Sequence, residues 1–291
     1  MLSIIIVSFQ NINVLEDCLQ SILQYNDIGD NLEIIVSDNS LDTKLYDYIS
    51  RKYTNIKICK NENKGFGAGN NRGVELSNGE YLLFLNPDTI LVEPIFKFAV
   101  EQFEKNEQLA LFGVKLIDKT GKESGSFCSY DKYDIFTSLW DRYCRRKGKF
   151  VDGKMFICGA DMFVRRSSFL EAGKFDENIF MYKEEADLIK RIKIYSKAKK
   201  IGFFYDKKII HLEGGTESDN SIEHRLKVIK RLTDSDKYYA EKWGLDYNKI
   251  IKSRLKHSRF KKFVFHCLLK KDKVLREKEL IIFYKSLISK H

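Results

Sequence analysis

Three acidic side chains, Glu184, Glu185 and Asp187, crowd into one short segment of the sequence. The first turn of a helix favours acids through the helix dipole, so the crowding alone does not define a site. The apolar segment 178–182 before them could hold one carboxylate against a dry pocket, which would raise its pKa toward that of a general base. This pattern would suit the removal of a proton from an acceptor hydroxyl group.

Two other side chains could hold a metal ion. Asp88 follows the rigid pair Asn86-Pro87 at the exit of a predicted buried strand. A carboxylate there can hold Mg²⁺ or Mn²⁺, which would stabilise the charge of a diphosphate leaving group. Asn-Pro-Asp is also good β-turn chemistry, so an ordinary turn is the alternative. His211 ends another predicted strand beside Gly214-Gly215-Thr216, where a neutral imidazole is either a structural residue or a metal ligand.

Polar residues that follow the first three predicted strands could bind a nucleotide. Asp38 could accept a hydrogen bond from a uracil, thymine or guanine ring NH, or it could simply cap a helix. Ser8 and Asn11 line the first turn, and Asn63 and Asn70 flank a glycine-rich loop that could pass close to a nucleotide. A dinucleotide fingerprint fails, because Asn70 stands where its third glycine belongs and the loop follows the third strand rather than the first.

Alternating strands and helices must position these residues. Apolar runs and helical spacing over the first hundred residues predict a doubly wound α/β sheet, in which ligands bind beyond the carboxyl ends of the strands. A long amphipathic helix is predicted at 222–243. Further strands are predicted at 109–118 and 200–204. The first four predicted strands are 2–9, 32–37, 56–59 and 81–85.

The positive charge of the chain is concentrated at its end. The net charge is +10, and residues 249–291 contain fourteen Lys or Arg and three acids. A stripe with helical spacing (Phe260, Phe263, Val264, Cys267 and Leu268) predicts an interfacial helix on an anionic membrane. The alternative is a basic helix packed on its own catalytic domain or on a second subunit.

Composition also limits the cellular setting. No apolar run is long enough for a spanning helix, and the first residues do not have the pattern of a signal peptide. Six cysteines without a C-x-x-C pair favour reduced thiols and a cytoplasmic protein.

Seven blocks of sequence, in this order, carry a resemblance to a known family. They are IIIVSFQN, SDNSLD, NKGFGAGNNRG, FLNPDT, GADMFVRR, GKFDENIFMYKEEADL and H-x-x-G-G-T. Over residues 1–220 they resemble the family 2 glycosyltransferases, especially the rhamnosyltransferase-like branch. The resemblance implies a GT-A fold, an α/β class with a Rossmann-like, doubly wound, mostly parallel sheet. It places the catalytic domain at 1–220 and a helical, basic extension at 221–291.

The same resemblance implies a metal-dependent, inverting transfer and assigns roles to residues. Glu185 stands where the family usually has an aspartate base, and Glu184 is its close rival. Asn86 replaces the first aspartate of the family's D-x-D element, which leaves Asp88 and His211 as ligands for Mg²⁺ or Mn²⁺. Asp161 and Asp187 are assigned to the acceptor or sugar. The nucleotide-binding residues are Ser8, Asn11, Asp38, Asn39, Asn63, Gly65 and Asn70.

The partners follow from the resemblance as well. The donor is a nucleotide diphosphate sugar, first dTDP-rhamnose and otherwise a UDP-hexose or UDP-N-acetylhexosamine. The acceptor is a glycan or a lipid-linked hydroxyl in surface polysaccharide biosynthesis. We expect a cytoplasmic protein, peripheral on the inner face of the plasma membrane and able to form a homodimer, with no nucleic acid bound. The alternatives are an inactive sugar-nucleotide-binding paralogue and a nucleic-acid binder that uses the basic tail.

Overall fold

A computed structural model describes residues 1–130, 134–212 and 221–289 of the 291-residue chain. These residues form two compact units. The first contains residues 1–130, 144–180 and 184–212, and the second contains residues 134–143, 181–183 and 221–289.

The strands are β1 (Leu2–Ser8), β2 (Leu32–Asp38), β3 (Ile56–Lys60), β4 (Tyr81–Leu85), β5 (Thr89–Leu91), β6 (Leu109–Ile117), β7 (Phe127–Ser129), β8 (Met155–Ile157), β9 (Asp161–Arg165) and β10 (Lys200–His211). The helices are α1 (Ile12–Gln24), α2 (Lys44–Lys52), α3 (Phe66–Glu75), α4 (Phe96–Lys105), α5 (Ile135–Arg146), α6 (Arg166–Glu171), α7 (Glu184–Tyr195), α8 (Ile222–Trp243), α9 (Tyr247–Cys267) and α10 (Lys271–Ile288).

The first unit is built on a sheet in the order β3-β2-β1-β4-β9-β6-β10-β5. Strands β3, β2, β1 and β4 pair in parallel with one another, which confirms the predicted doubly wound sheet. β9 runs antiparallel between β4 and β6. Ile4, Ile5 and Ile6 are fully buried, because the interior strand β1 is covered on both faces.

The glycine-rich segment differs from its predicted loop, because helix α3 begins inside it at Phe66. Its glycines allow the helix to approach β1 closely. A Cβ atom on Gly69 would lie 2.9 Å from Cγ1 of Val7, and one on Gly73 would lie 2.4 Å from Cγ2 of Ile5. Real Cβ contacts are rarely this short, so larger residues would push α3 away from the sheet.

Strand β10 is longer than the predicted strand at 200–204, since it continues to His211. Its register with β6 shifts between Phe204 and Lys208, and the strand then pairs antiparallel with β5. This pairing sets His211 opposite Thr89. The irregular register explains why the sequence pattern predicted two short strands here, one at 200–204 and one ending at His211, rather than a single strand.

The second unit contains helices α8, α9 and α10, and α8 has the bounds predicted from its amphipathic pattern. Its buried Asp236 accepts hydrogen bonds from Nε of Arg254 at 2.9 Å and Nη2 of Arg254 at 2.6 Å. Nζ of Lys183 lies 3.7 Å from the other carboxylate oxygen of Asp236. Over residues 1–130, 134–212 and 221–289, no helix is both long enough and apolar enough to cross a membrane.

Candidate active site

The ends of β1 and β2 come together at one edge of the sheet. The backbone N–H of Asn39 donates to the carbonyl oxygen of Ser8 at 2.9 Å, and the N–H of Gln10 donates to Oγ of Ser40 at 2.7 Å. Asn11 caps helix α1, since its side chain accepts a hydrogen bond from the N–H of Val14. Parallel strands deliver their carboxyl ends to the same side, so the predicted crevice has a structural basis here.

Asp38 is fully buried at this edge. Its Oδ1 accepts a hydrogen bond from the N–H of Ser40 at 2.8 Å, and its Oδ2 lies 3.4 Å from Nζ of Lys60. Within the described parts of the chain, Oδ2 of Asp38 and Oγ of Ser8 have no hydrogen-bond partner. Buried polar atoms are rarely left unpaired, so both atoms are suited to bind a ligand. Sequence reasoning missed Lys60, although it ends the neighbouring strand.

The predicted asparagines order the loop that leads into α3. Nδ2 of Asn39 donates to the carbonyl oxygen of Gly65 at 3.2 Å, and Oδ1 of Asn63 accepts from the N–H of Gly65 at 3.3 Å. Nδ2 of Asn70 donates to the carbonyl oxygen of Phe66 at 3.0 Å. These contacts fix the loop, while Oδ1 of Asn70 is buried without a partner among the described residues.

Gly65 joins this loop to the segment that precedes α7. It has a φ of +103°, and a Cβ atom on it would lie 2.0 Å from the carbonyl oxygen of Phe180. The N–H of Phe66 donates to that same oxygen at 2.9 Å. The contact therefore requires glycine, both for its backbone conformation and for the space it leaves.

Replacing Gly65 by alanine should destabilise the fold by about 2–4 kcal/mol, because a backbone atom cannot move aside as a flexible side chain can. The Gly121→Ala variant is the matched control. Gly121 has a φ of +81° but nothing within 4 Å of its added Cβ. Urea unfolding measures both changes, and equal losses in the two variants would show that the contact with Phe180 is unimportant.

Asp88 and His211 lie side by side although they are far apart in sequence. Nε2 of His211 is 3.4 Å from Oδ1 of Asp88, and the N–H of Leu212 donates to the carbonyl oxygen of Asp88 at 2.9 Å. The side chain of His211 is 18% exposed and that of Asp88 is 8% exposed, so a ligand can still reach them. The pairing of β5 with β10 produces this neighbourhood.

These two donors fit one divalent ion. A carboxylate oxygen and an imidazole nitrogen at this separation can belong to the same coordination shell. No group of three or more His, Cys, Asp or Glu side chains that could hold a metal occurs in the described segments. The remaining ligands would therefore have to come from the substrate and water, as is usual for ions that bind phosphates.

Glu184 and Glu185 begin helix α7 but have different environments. Glu184 is 5% exposed, whereas Glu185 is partly exposed. Burial, together with the neighbouring charge of Glu185, raises the pKa of Glu184 well above its ordinary value. Burial therefore favours the neutral form of Glu184, and Glu185 is the more accessible of the two carboxyl groups.

Asp187, three residues after Glu184, is tied to its own helix. It is fully buried, and its Oδ2 accepts a hydrogen bond from Nε of Arg191 at 2.8 Å. Arg191 also donates to the carbonyl oxygen of Ala172. The structure thus places Asp187 in an ion pair that joins α7 to the end of α6, whereas the sequence assigned it to the acceptor or sugar.

Asp161 begins β9 and is also fully buried. Its Oδ2 accepts a hydrogen bond from the N–H of Val114 at 2.8 Å, while Oδ1 has no partner among the described residues. Burial raises the pKa of Asp161 well above its ordinary range. The side chain therefore resembles a neutral acid with one hydroxyl group to donate.

The Asp161→Asn variant should show a flatter dependence of stability on pH than the unmodified protein. A raised native pKa means that the unfolded chain loses its proton first, so stability falls as pH rises from about 4 toward the native pKa. The slope attributable to one such proton is about 1.4 kcal/mol per pH unit. Urea unfolding between pH 5 and pH 8 measures it. Parallel curves for the two proteins would contradict the raised pKa.

The segment Gly159-Ala160, between β8 and β9, connects these groups. A Cβ atom on Gly159 would lie 3.6 Å from Cε1 of Phe66 and 4.0 Å from Cδ of Glu185. The carbonyl oxygen of Ala160 accepts a hydrogen bond from the N–H of Asn86 at 3.0 Å, two residues before Asp88. The acidic end of α7, the glycine-rich loop and the Asn86-Pro87-Asp88 turn therefore border one short segment.

Comparison with known proteins gives the family. The sequence profile described as Glycosyl transferase family 2 matches residues 3–173, more than half of the chain. Rhamnosyltransferase WbbL of Escherichia coli K12 is 27% identical over 211 residues, which cover 67% of this chain and 77% of WbbL. GalNAc(5)-diNAcBac-PP-undecaprenol beta-1,3-glucosyltransferase of Campylobacter jejuni is 35% identical over 132 residues. That match covers 43% of this chain and only 41% of the Campylobacter protein.

A solved structure supports the fold. The mannosyltransferase PcManGT of Pyrobaculum calidifontis, in complex with GDP-Man and Mn²⁺, superposes with a TM-score of 0.58 at 12% identity. The superposition covers 99% of this chain and 83% of PcManGT. The predicted GT-A fold is thus confirmed, with its mostly parallel sheet and a C-terminal helical part. The chain belongs to glycosyl transferase family 2, and it is a glycosyltransferase.

Proposed function

We propose that this glycosyltransferase is inverting and that Glu185 is its general base. The observation that carries the proposal is the position of Gly159-Ala160, which borders Glu185 on one side and contacts the Asp88 turn on the other. Transfer to a hydroxyl group requires a base near the acceptor and positive charge near the leaving diphosphate. Glu185 and the Asp88–His211 pair supply candidates for these two tasks.

The proposed reaction is a single displacement. Glu185 accepts the proton as the acceptor O–H bond breaks, and the acceptor oxygen forms a bond with the anomeric carbon. The bond from that carbon to the diphosphate oxygen breaks on the opposite face, which inverts the configuration. The raised pKa of Glu184 favours its neutral form, which would add no second negative charge beside the base. Bound Mg²⁺ or Mn²⁺, held by Asp88 and His211, would neutralise charge on the leaving diphosphate.

We propose that the nucleotide binds at the ends of β1 and β2. Oδ2 of Asp38 lies 3.4 Å from Nζ of Lys60 but makes no hydrogen bond among the described residues, so it would accept one from the base, and Oγ of Ser8 would donate one to the base. Asn39, Asn63 and Asn70 would act mainly by shaping the loop that faces the ribose and phosphates, because their amide groups are already bonded within it. Gly214-Gly215-Thr216 lie outside the described residues. We keep 1–220 as the proposed catalytic domain and 221–291 as its extension.

The names of the relatives suggest substrates. WbbL is a rhamnosyltransferase, so dTDP-rhamnose is the first donor to test, followed by UDP-hexoses and UDP-N-acetylhexosamines. The Campylobacter enzyme is named for a PP-undecaprenol glycan. We therefore propose a lipid-diphosphate-linked glycan as the acceptor, in the synthesis of a surface polysaccharide.

A donor screen tests this function. The full chain is incubated with each nucleotide sugar in the presence of Mn²⁺, Mg²⁺ or EDTA, and both thermal stabilisation and donor hydrolysis are recorded. One donor should stabilise the protein and be hydrolysed only with the metal. Stabilisation without hydrolysis or transfer would support an inactive paralogue. Failure of every donor, together with retention of nucleic acid in a gel-shift assay, would support the nucleic-acid alternative.

A further inference from the structure

The last turns of α9 and the turn that follows it expose a group of large apolar side chains. Leu269 is 85% exposed, Phe263 is 66% exposed, Leu268 is 55% exposed and Phe260 is 50% exposed. We call these four residues the apolar tip. None of the residues from 259 to 273 is buried. A cluster of exposed aromatic and leucine side chains on a protein surface usually marks an interaction site.

The tip is not needed to hold the two helices together. A separate cluster, away from the turn, packs α9 against α10 and consists of Ile251, Leu255, Leu280 and Tyr284. Part of α9 is therefore stabilised as an ordinary helical hairpin, while its last turns carry apolar residues toward solvent. One end of the hairpin is therefore packed, and the other is exposed.

The charge around the apolar tip indicates what kind of surface it binds. Between Arg259 and Arg276 the chain has seven Lys or Arg and one acid, Asp272. Arg259 and Lys261 fall on either side of the stripe that contains Phe260 and Phe263, as expected from 100° per residue. Two copies of so basic a tip would repel each other. An anionic surface attracts each nearby Lys or Arg by about 1 kcal/mol, and aromatic and leucine side chains enter the headgroup boundary.

We propose that the apolar tip docks on an anionic phospholipid bilayer, with the surrounding basic residues at the headgroups. Phe260, Phe263, Leu268 and Leu269 would make the apolar contact. This contact does not depend on the chemistry at Glu185 or Asp88, although a bilayer is where a lipid-linked acceptor would be found.

Vesicle co-sedimentation of the full chain tests the apolar part of the contact. Binding is expected to vesicles that contain phosphatidylglycerol, and it should be weak for pure phosphatidylcholine and reduced by high salt. The double variant Phe263→Ser, Leu269→Ser should bind at least about tenfold more weakly. Leu41→Ser is the matched control, because Leu41 is 79% exposed in the other unit. An equal loss in the control would overturn the proposal.

A second variant tests the charges. Lys270→Gln with Lys271→Gln should weaken binding by about 30-fold, which corresponds to about 2 kcal/mol. Equal binding to neutral and anionic vesicles would overturn the role of charge. The unmodified protein could instead fail to bind vesicles and form a dimer that dissociates when Phe263 and Leu269 are replaced. That result would assign the tip to contact with a second copy. Donor hydrolysis without vesicles should be unchanged in these variants, so failure of the docking can be told apart from failure of the proposed reaction.

Discussion

Replacing Asp88 by asparagine should lower kcat/KM for sugar transfer by about 10³-fold or more. The substitution keeps the size of the side chain and the backbone hydrogen bond to Leu212, but it removes the negative charge that faces His211. A metal ion contributes several kcal/mol to stabilising a leaving diphosphate, and this contribution should be lost with its carboxylate ligand. Initial rates at several Mn²⁺ concentrations, with the identified donor, measure the effect.

The control for this variant is Asp30→Asn, since Asp30 is exposed in a 3-10 turn of the same unit. The control should keep both its rate and its metal-dependent thermal stabilisation by the donor. Asp88→Asn should lose that stabilisation while its melting temperature without ligands stays close to that of the unmodified protein. Full activity of the Asp88→Asn protein would show that Asp88 is not needed as a metal ligand.

Replacing Glu185 by glutamine should lower kcat by about 10²–10⁴-fold, the usual contribution of a general base. Donor binding should be preserved, because the change affects only the group that we propose to contact the acceptor. Glutamine cannot accept the hydroxyl proton, whereas it is close in size to the glutamate. Single-turnover transfer to a soluble acceptor measures the chemical step, and thermal shift with the donor measures binding.

The neighbouring residue is the matched comparison. Glu184→Gln resembles the neutral form that the raised pKa of Glu184 favours, so a much smaller decrease in kcat is expected than for Glu185→Gln. A large loss of kcat in Glu184→Gln, together with an active Glu185→Gln enzyme, would show that Glu184 rather than Glu185 is the base. The Glu185→Asp variant restores the residue that is usual in the family, and partial activity would show how much the longer side chain matters.

The first half of the fold could be predicted because its signals are local. Buried strands such as β1 appear as continuous apolar runs, and α8 appears as a regular amphipathic stripe. The start of α3 was not evident, since a run of glycines has poor helix propensity and favours a loop on local grounds. Close packing of Gly69 and Gly73 on β1 overrides that preference, and this packing is a tertiary effect.

The residue types of the candidate site could be predicted from the sequence, but the burial of each side chain could not. The sequence placed Asp88 and His211 together only through the family resemblance, because their contact depends on the pairing of β5 with the far end of β10. The sequence also could not distinguish Glu184 from Glu185, because the two residues are adjacent in sequence and differ only in how deeply their side chains are buried. The ion pair of Asp187 with Arg191, four residues later on the same helix, was likewise not evident from the sequence.

The contact between Gly65 and Phe180 also has a consequence for evolution. The atoms that exclude a Cβ at position 65 belong to the main chain of residue 180, whose side chain is 37% exposed. No substitution at position 180 can therefore relieve a larger residue at position 65. Among close relatives with this loop arrangement, we expect position 65 to stay glycine while position 180 drifts, with no covariation between the two sites.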